Sequence, residues 1–103
     1  MSEWNTIYDN SENIVGIFRH GVAWKKETEE RLGEYDEDFV YGNNTEVLGK
    51  ILENVVVDII GDEIGHISGK ELYLSGKKVG SFTGSINAGL AAIVLIFSRY
   101  ATS

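Results

Sequence analysis

The sequence predicts an all-β fold in which five tandem β-hairpin repeats form a closed, pseudo-fivefold, flower-like array with an apolar C-terminal plug. Three observations predict it. A glycine recurs every sixteen residues or so, a large residue follows most of these glycines at a fixed distance, and an apolar segment outside the repeat ends the chain. With 103 residues, one domain with one core is expected over residues 1–103.

The recurring glycine marks the second strand of each predicted hairpin. It follows an aliphatic residue, and another large apolar residue stands two places after it. The five copies are Val15-Gly16-Ile17-Phe18, Leu32-Gly33-Glu34-Tyr35, Leu48-Gly49-Lys50-Ile51, Ile64-Gly65-His66-Ile67 and Val79-Gly80-Ser81-Phe82. The residue between the glycine and the large residue is polar in all copies but the first, and such alternation is typical of a strand with one wet face.

A second series, here called the landmark residues, marks the first strand of each hairpin. Its members are Tyr8, Trp24, Tyr41, Val57 and Tyr73. Each of the first four glycines precedes the next landmark by eight residues, whereas the distance from a landmark to the next glycine varies. Because exposed tips tolerate length changes, the variable link is predicted to be an outer turn and the constant link an inner turn. We expect the landmark side chains to lie across the mid-strand glycines, which leave room for them.

The repeat units and the closing segment divide the whole chain. The predicted units span residues 6–21, 22–38, 39–54, 55–70 and 71–85, and the closing segment spans 86–100. Leu90 to Phe97 is apolar on all sides and is predicted to be buried on all sides. Its small residues favour a helical turn first and its β-branched residues favour a strand after it, so the segment is either a plug or a closing strand. An open meander would leave two unprotected edges, so a closed ring is predicted.

The pattern Ile7-Tyr8-Asp9 followed by Val15-Gly16-Ile17-Phe18, repeated five times and ending in an alanine-containing apolar tail, resembles the bacterial β-flower proteins, in particular the five-fold type. In such proteins, short units of this form are arranged like petals around an axis. The resemblance covers Thr6 to Phe97 and implies a fold but no established activity or functional residue. The sequence departs from the Tyr-Asp pattern at Trp24-Lys25, Tyr41-Gly42 and Val57-Asp58.

Composition limits the possible partners. Sixteen acidic and nine basic residues give a net charge of −7, which repels a phosphate backbone, so nucleic acid is not an expected partner. With no cysteine and two histidines, no metal site and no cofactor are predicted. The apolar stretch Ile86–Phe97 is shorter than the roughly 20 residues that a membrane span needs. Residues 1–5 lack the features of a secretory signal, so a cytoplasmic location is the default expectation.

Catalysis is not predicted, and no catalytic residue is assigned. His20 falls in a predicted turn and His66 at the polar position of a strand, so the two histidines are not equivalent in the repeat. The acidic run from Glu34 to Asp38 lacks the spaced ligands and turn glycine of a calcium loop, and it is interpreted as a solvated hairpin. No nucleophile, base and orienting group emerge together.

The predicted function is a non-enzymatic structural or protein-interaction module, with an unknown protein partner or self-association. The alternative is a small-ligand or glycan-binding module that uses the repeat aromatics, because aromatic rings stack on sugar faces. The candidate binding residues are Tyr8, Trp24, Tyr41 and Tyr73. Core packing is the competing interpretation of these rings, since the fourth landmark is Val57 and a binding series would be expected to keep its aromatic.

Overall fold

The computed structural model describes residues 4–98, which form a closed barrel of ten antiparallel strands around a helical C-terminal segment. The strands are β1 Asn5–Asp9, β2 Ile14–Arg19, β3 Val22–Lys25, β4 Arg31–Tyr35, β5 Phe39–Tyr41, β6 Val47–Leu52, β7 Val55–Val57, β8 Glu63–Ser68, β9 Glu71–Leu74 and β10 Lys77–Thr83. Helix α1 (Ile86–Ala92) continues into a π-helical turn, Ile93–Phe97. We call Ile86–Phe97 the plug. The all-β prediction is confirmed for the barrel.

Each strand pairs with its neighbours in sequence, and β1 pairs with β10 to close the ring. At this seam, Ile7 lies opposite Phe82. The Asn5 side chain fixes the seam from one end, since its amide nitrogen donates to the Phe18 carbonyl at 2.8 Å and its oxygen accepts from the Ser85 amide at 2.7 Å. Closure therefore joins the first strand to the tenth, and the closing-strand interpretation of the C-terminal segment is wrong.

A β-bulge interrupts the pairing of β1–β2, β3–β4, β5–β6, β7–β8 and β9–β10. In the first pair, Ile7 lies opposite Gly16 and Tyr8 lies opposite Ile14, which leaves Val15 as the extra residue. The extra residues are the aliphatic neighbours of the repeat glycines: Val15, Leu32, Leu48, Ile64 and Val79. Bulges bend a strand and increase its twist, so each of these pairs curves where the aliphatic-glycine pattern stands.

The barrel interior is filled by the plug, by the residue before each landmark, and by large residues two places after the glycines, such as Phe18 and Phe82. The residues before the landmarks are fully buried: Ile7, Ala23, Val40, Val56 and Leu72. Residues 88–95 of the plug are buried as well, and α1 contacts strands around the ring, among them β1, β4 and β8. Ser85 caps the start of the plug, since its hydroxyl accepts the Ala88 amide at 3.1 Å. The apolar segment is therefore packed inside its own barrel.

The predicted strand in the second half of the plug is wrong, because Ile93–Phe97 is π-helical. All ten barrel strands already have two neighbours, so a strand inside the ring would find no partner for its backbone groups. A buried backbone without partners is costly, whereas a helix satisfies its own amides and carbonyls. The β-branched side chains of this segment pack equally well from a helix that is buried on every side.

The repeat glycines make room for the plug and for backbone carbonyls. A Cβ atom on Gly65 would overlap the Tyr73 carbonyl and lie 2.7 Å from Ile93 Cγ2. A Cβ on Gly80 would overlap the carbonyl of Tyr8 and lie 3.1 Å from the Phe97 ring. The expectation that landmark side chains lie across these glycines is therefore wrong. Because successive strand residues point to opposite faces, a landmark that follows an inward residue turns its side chain outward.

The distinction between inner and outer turns is also wrong, since both sets are exposed at the two ends of the barrel. One rim is formed by residues 10–13, 26–30, 42–46, 58–62 and 75–76. The other rim is formed by residues 20–21, 36–38, 53–54, 69–70 and 84–85. The fixed length of the four links in the second set that join strands reflects tight two- or three-residue hairpin turns rather than burial, while residues 84–85 lead from β10 into the plug.

The glycine contacts predict a graded response to alanine. We expect Gly65→Ala to lower the free energy of unfolding by about 3 kcal/mol, because the new methyl group meets a fixed carbonyl and the plug. Gly49→Ala should cost about 1 kcal/mol, because its Cβ would lie 3.1 Å or more from every neighbouring atom. Denaturant unfolding of the two variants tests this, and an equal loss in both would contradict the packing described above.

Candidate functional site

The four candidate aromatics lie on the outer face of the barrel. Tyr8, Trp24, Tyr41 and Tyr73 are each half-buried, while Val57 is buried. The core-packing interpretation is therefore wrong for the four rings. Their strands, β1, β3, β5 and β9, are nowhere adjacent in the ring, so the barrel distributes the rings over separate sectors. The structure does not gather them into one site.

Two of these rings have carboxylate partners nearby. The Tyr41 hydroxyl donates to Asp36 Oδ2 at 3.0 Å, and the Tyr73 hydroxyl donates to Glu71 Oε1 at 3.1 Å. These hydrogen bonds raise the pKa of both phenols, since ionisation would set two negative charges side by side. Tyr73 also stacks on His66 with ring centroids 4.9 Å apart. Both tyrosines are thus engaged within their own strand pairs.

Trp24 lies in a surface groove of about 530 Å³ that it shares with Trp4. Both tryptophans of the chain line this groove. Its full lining is Trp4, Ile17, Arg19, Trp24, Lys25, Lys26 and Glu29. We call it the tryptophan groove. Ile17 lies opposite Trp24 in the β2–β3 pair, so the apolar floor is held by barrel strands.

The residues that line the tryptophan groove carry a positive net charge, whereas the net charge of the protein is negative. Three basic side chains and one acidic side chain line it, although the chain carries −7 overall. The Arg19 guanidinium lies 4.2 Å from the centre of the Trp4 ring, a cation–π contact worth about 0.5–1 kcal/mol at an exposed site. Within residues 4–98, Arg19, Lys25 and Lys26 form no ion pair with a carboxylate. The groove therefore favours an anionic ligand that has an apolar face.

A second, smaller cleft of about 320 Å³ lies at the rim formed by residues 58–62. Three acids line it, but the Asp58 carboxylate is already bonded to its own loop, accepting the amides of Ile60 at 3.1 Å and Asp62 at 2.9 Å. The same arrangement holds the β1–β2 loop, where Asp9 accepts the Ser11 and Asn13 amides at 2.9 Å. These aspartates are turn residues, and this cleft is explained by loop structure.

The histidines stand apart. His20 is in the β2–β3 turn with φ of 54°, and His66 is 3.2 Å from Glu63 on the outer face of β8. Across residues 4–98, no three His, Asp or Glu side chains are grouped so as to hold a metal ion. The same stretch contains no helix long and apolar enough to cross a membrane.

Comparisons with protein-family models, curated proteins and solved structures each find no match. The tryptophan groove is the candidate functional site. Of the candidates named from the sequence, it contains Trp24 alone, and Trp4 was missed. Trp4 precedes the first strand and belongs to no repeat position, so a search for recurring residues passes over it.

The tyrosine contacts predict selective changes in ionisation. Asp36→Asn should return the pKa of Tyr41 towards its ordinary value near 10, and leave Tyr73 unchanged, because it removes the charge beside one phenol only. Glu71→Gln should do the reverse. The raised pKa means that the stabilising contribution of Tyr41 is present below about pH 10 and is lost as pH rises through the folded-state pKa. Titration followed by tyrosine NMR signals tests this, and a Tyr41 signal unmoved in Asp36→Asn would contradict it.

Proposed function

We propose that the protein is a non-enzymatic protein-interaction module whose binding site is the tryptophan groove. The partner that fits presents apolar side chains next to acidic ones. The observation that carries the proposal is the meeting of both tryptophans with Arg19, Lys25 and Lys26 in one groove of an acidic protein.

The apolar half of the groove supports an interaction role. Tryptophan and arginine are the residues most enriched among those that dominate binding energy at protein interfaces. Trp4 has 51% of its surface exposed, and Trp24 and Ile17 form a rigid floor on paired strands. Covering such a surface removes apolar area from water, and little conformational entropy is lost because the barrel already holds the floor in place.

The charged half supports an acidic partner. At physiological salt, exposed charges more than about 8 Å apart are largely screened from each other. A partner docked in the groove therefore responds to the three local cations more than to the acidic residues on the far side of the barrel. The residues of 4–98 that line the groove include no serine, cysteine or histidine, which supports binding rather than catalysis.

Peptide binding tests this proposal. A short peptide that alternates aspartate with leucine should quench or shift tryptophan fluorescence, and the double variant Lys25→Glu/Lys26→Glu should bind it at least tenfold more weakly. Lys77→Glu/Lys78→Glu is the control, because it makes the same charge change at a lysine pair outside the groove. It also removes the Lys78–Glu71 ion pair, so thermal unfolding verifies that this variant is folded. Equal weakening in both variants would mean that net charge, rather than the groove, governs binding.

Glycan or small-ligand binding at the repeat aromatics is the second candidate, with Tyr8, Trp24, Tyr41 and Tyr73 as its residues. The half-exposed position of all four rings on the outer face favours it. Neutral oligosaccharides that shift the fluorescence of wild type and of Lys25→Glu/Lys26→Glu alike would support this candidate over the peptide partner.

We also propose that the barrel is a pseudo-fivefold flower of the β-flower kind. Five equivalent bulges support this, as do three loops at one rim that share a hydrogen-bonding pattern and a fourth, at Lys25, that is one residue longer and closes in a similar way. In each of these loops the next-to-last residue has positive φ: Glu12, Glu29, Thr45 and Gly61. Its amide donates at 2.9–3.0 Å to the carbonyl of the residue that follows the landmark: Asp9, Lys25, Gly42 and Asp58.

The loop at Gly42 supports equivalence in a different way. Gly42 lacks the carboxylate that Asp9 and Asp58 use, and the Glu46 carboxylate occupies the space where a Gly42 side chain would begin. That carboxylate accepts the Asn44 amide at 3.1 Å. The same loop is therefore closed by an acid from its other end.

Exchange of loops between units tests the fivefold proposal. Replacing residues 59–62 with the sequence of residues 10–13 should lower stability by no more than about 1–2 kcal/mol, the cost of a non-glycine residue at positive φ. Adding Asp58→Ala to the exchanged loop should cost about 1 kcal/mol more, since it removes the acceptor of two amides. Failure of the exchanged chain to fold, measured by thermal unfolding, would contradict equivalence of the units.

A further inference from the structure

We infer that the occupant of the tryptophan groove is the β7–β8 loop, residues 58–62, of a second copy of this chain. Copies would then associate head to tail. The inference rests on the function proposed for the groove and names its partner.

The β7–β8 loop presents two isoleucines that the fold does not require. Ile59 and Ile60 are 76% and 77% exposed, the highest values among the large apolar side chains of residues 4–98. The equivalent places in the β1–β2 loop hold Asn10 and Ser11, so the loop conformation itself needs no apolar residue there. Two exposed isoleucines at a tip cost solubility without contributing to folding, which is typical of a contact surface.

The tip is also held in a fixed shape. The Asp58 carboxylate accepts the Ile60 and Asp62 amides, and the Asp58 amide donates to the Asp62 carbonyl at 2.8 Å. A preformed loop loses little conformational freedom on docking, so more of its contact energy appears as affinity.

Loop and groove are complementary in chemistry. The isoleucines are followed by the exposed Asp62 and Glu63, whereas the indoles and Ile17 are flanked by Arg19, Lys25 and Lys26. The loop is convex and the groove is concave. At about 530 Å³, the groove falls within the range of clefts that receive a drug-sized group, which is more than two isoleucine side chains need.

A chain cannot fill its own groove. The groove lies on the outer face of β2–β3 and the loop joins β7 to β8, five strands away in a ring of ten. The two surfaces therefore face opposite directions. Contact between unlike surfaces leaves one groove and one loop unused in each pair, so association continues into rows or closes into a ring. A single loop buries little area, so each contact is expected to be weak and concentration-dependent.

Complementation between variants tests the inference. At physiological salt, the average mass of wild type measured by light scattering should rise above 11.4 kDa with concentration. Ile59→Asn/Ile60→Ser, which lacks the loop contact, and Lys25→Glu/Lys26→Glu, which lacks the groove contact, should each remain monomeric. Their mixture should form dimers and nothing larger, because it contains one intact groove and one intact loop per pair. Leu52→Ser, an exposed apolar residue at the other rim, should associate as wild type does.

Three results would overturn the inference. Wild type that stays monomeric up to its solubility limit would do so, as would loop or groove variants that associate like wild type, or a mixture that stays monomeric while wild type associates. Thermal unfolding of each variant verifies that it is folded. If wild type is monomeric but the aspartate–leucine peptide still binds the groove, the inference fails and the proposed function stands. If neither association nor peptide binding occurs, both fail.

Discussion

The packing of the plug against the repeat glycines is the contact on which the rest of the structure depends. Each glycine lies beside an aliphatic bulge residue, which bends its strand. At Gly33, Gly65 and Gly80 a backbone carbonyl also occupies the space that a Cβ atom would need. Ile93, Leu95, Ile96 and Phe97 lie against four of these glycines. A larger residue at Gly65 or Gly80 would separate neighbouring strands and would also push the plug away from the barrel wall. The curvature of the strands, the closure of the ring and the packing of the core therefore depend on the same glycines.

That constraint explains what the sequence could predict. The recurring glycine and its aliphatic neighbour stand on β2, β4, β6, β8 and β10, so the positions of the strand pairs and of the buried tail could be read from spacing. Side-chain direction could not, because a bulge shifts the alternation by one residue and a pattern of letters does not say which residue is extra. Val15 and its equivalents absorb that shift on the glycine strands. The landmark rings point outward because each follows a fully buried residue on its own strand. The helical state of Ile93–Phe97 depends on every strand partner being taken, which is a property of the closed ring.

The outer face is free of the same constraint, and the candidate site lies there. Trp24 was predicted as a binding residue because it recurs with the tyrosines, but recurrence is a property of the barrel wall. What distinguishes Trp24 is that Trp4 and Arg19 adjoin it, and neither the residue before β1 nor a residue at the end of β2 holds a landmark position. The groove spans two successive hairpins, so its residues can be recognised as neighbours only when the register of β2 and β3 is known.

The closed ring with its buried plug also limits where binding surfaces of different chemistry can lie. The plug occupies the axis, so binding features are confined to the outer wall and the two rims. In a ring of ten strands, the β2–β3 wall and the β7–β8 loop lie on one diameter, and a basic apolar groove at one end of that diameter faces away from an acidic apolar tip at the other. Changing Ile59 or Lys25 leaves the glycine–plug contacts untouched, because neither side chain points inward. Residues of the outer wall and the rims can therefore change without altering the contacts that stabilise the fold. Such independence of surface and core suits a module that binds other proteins.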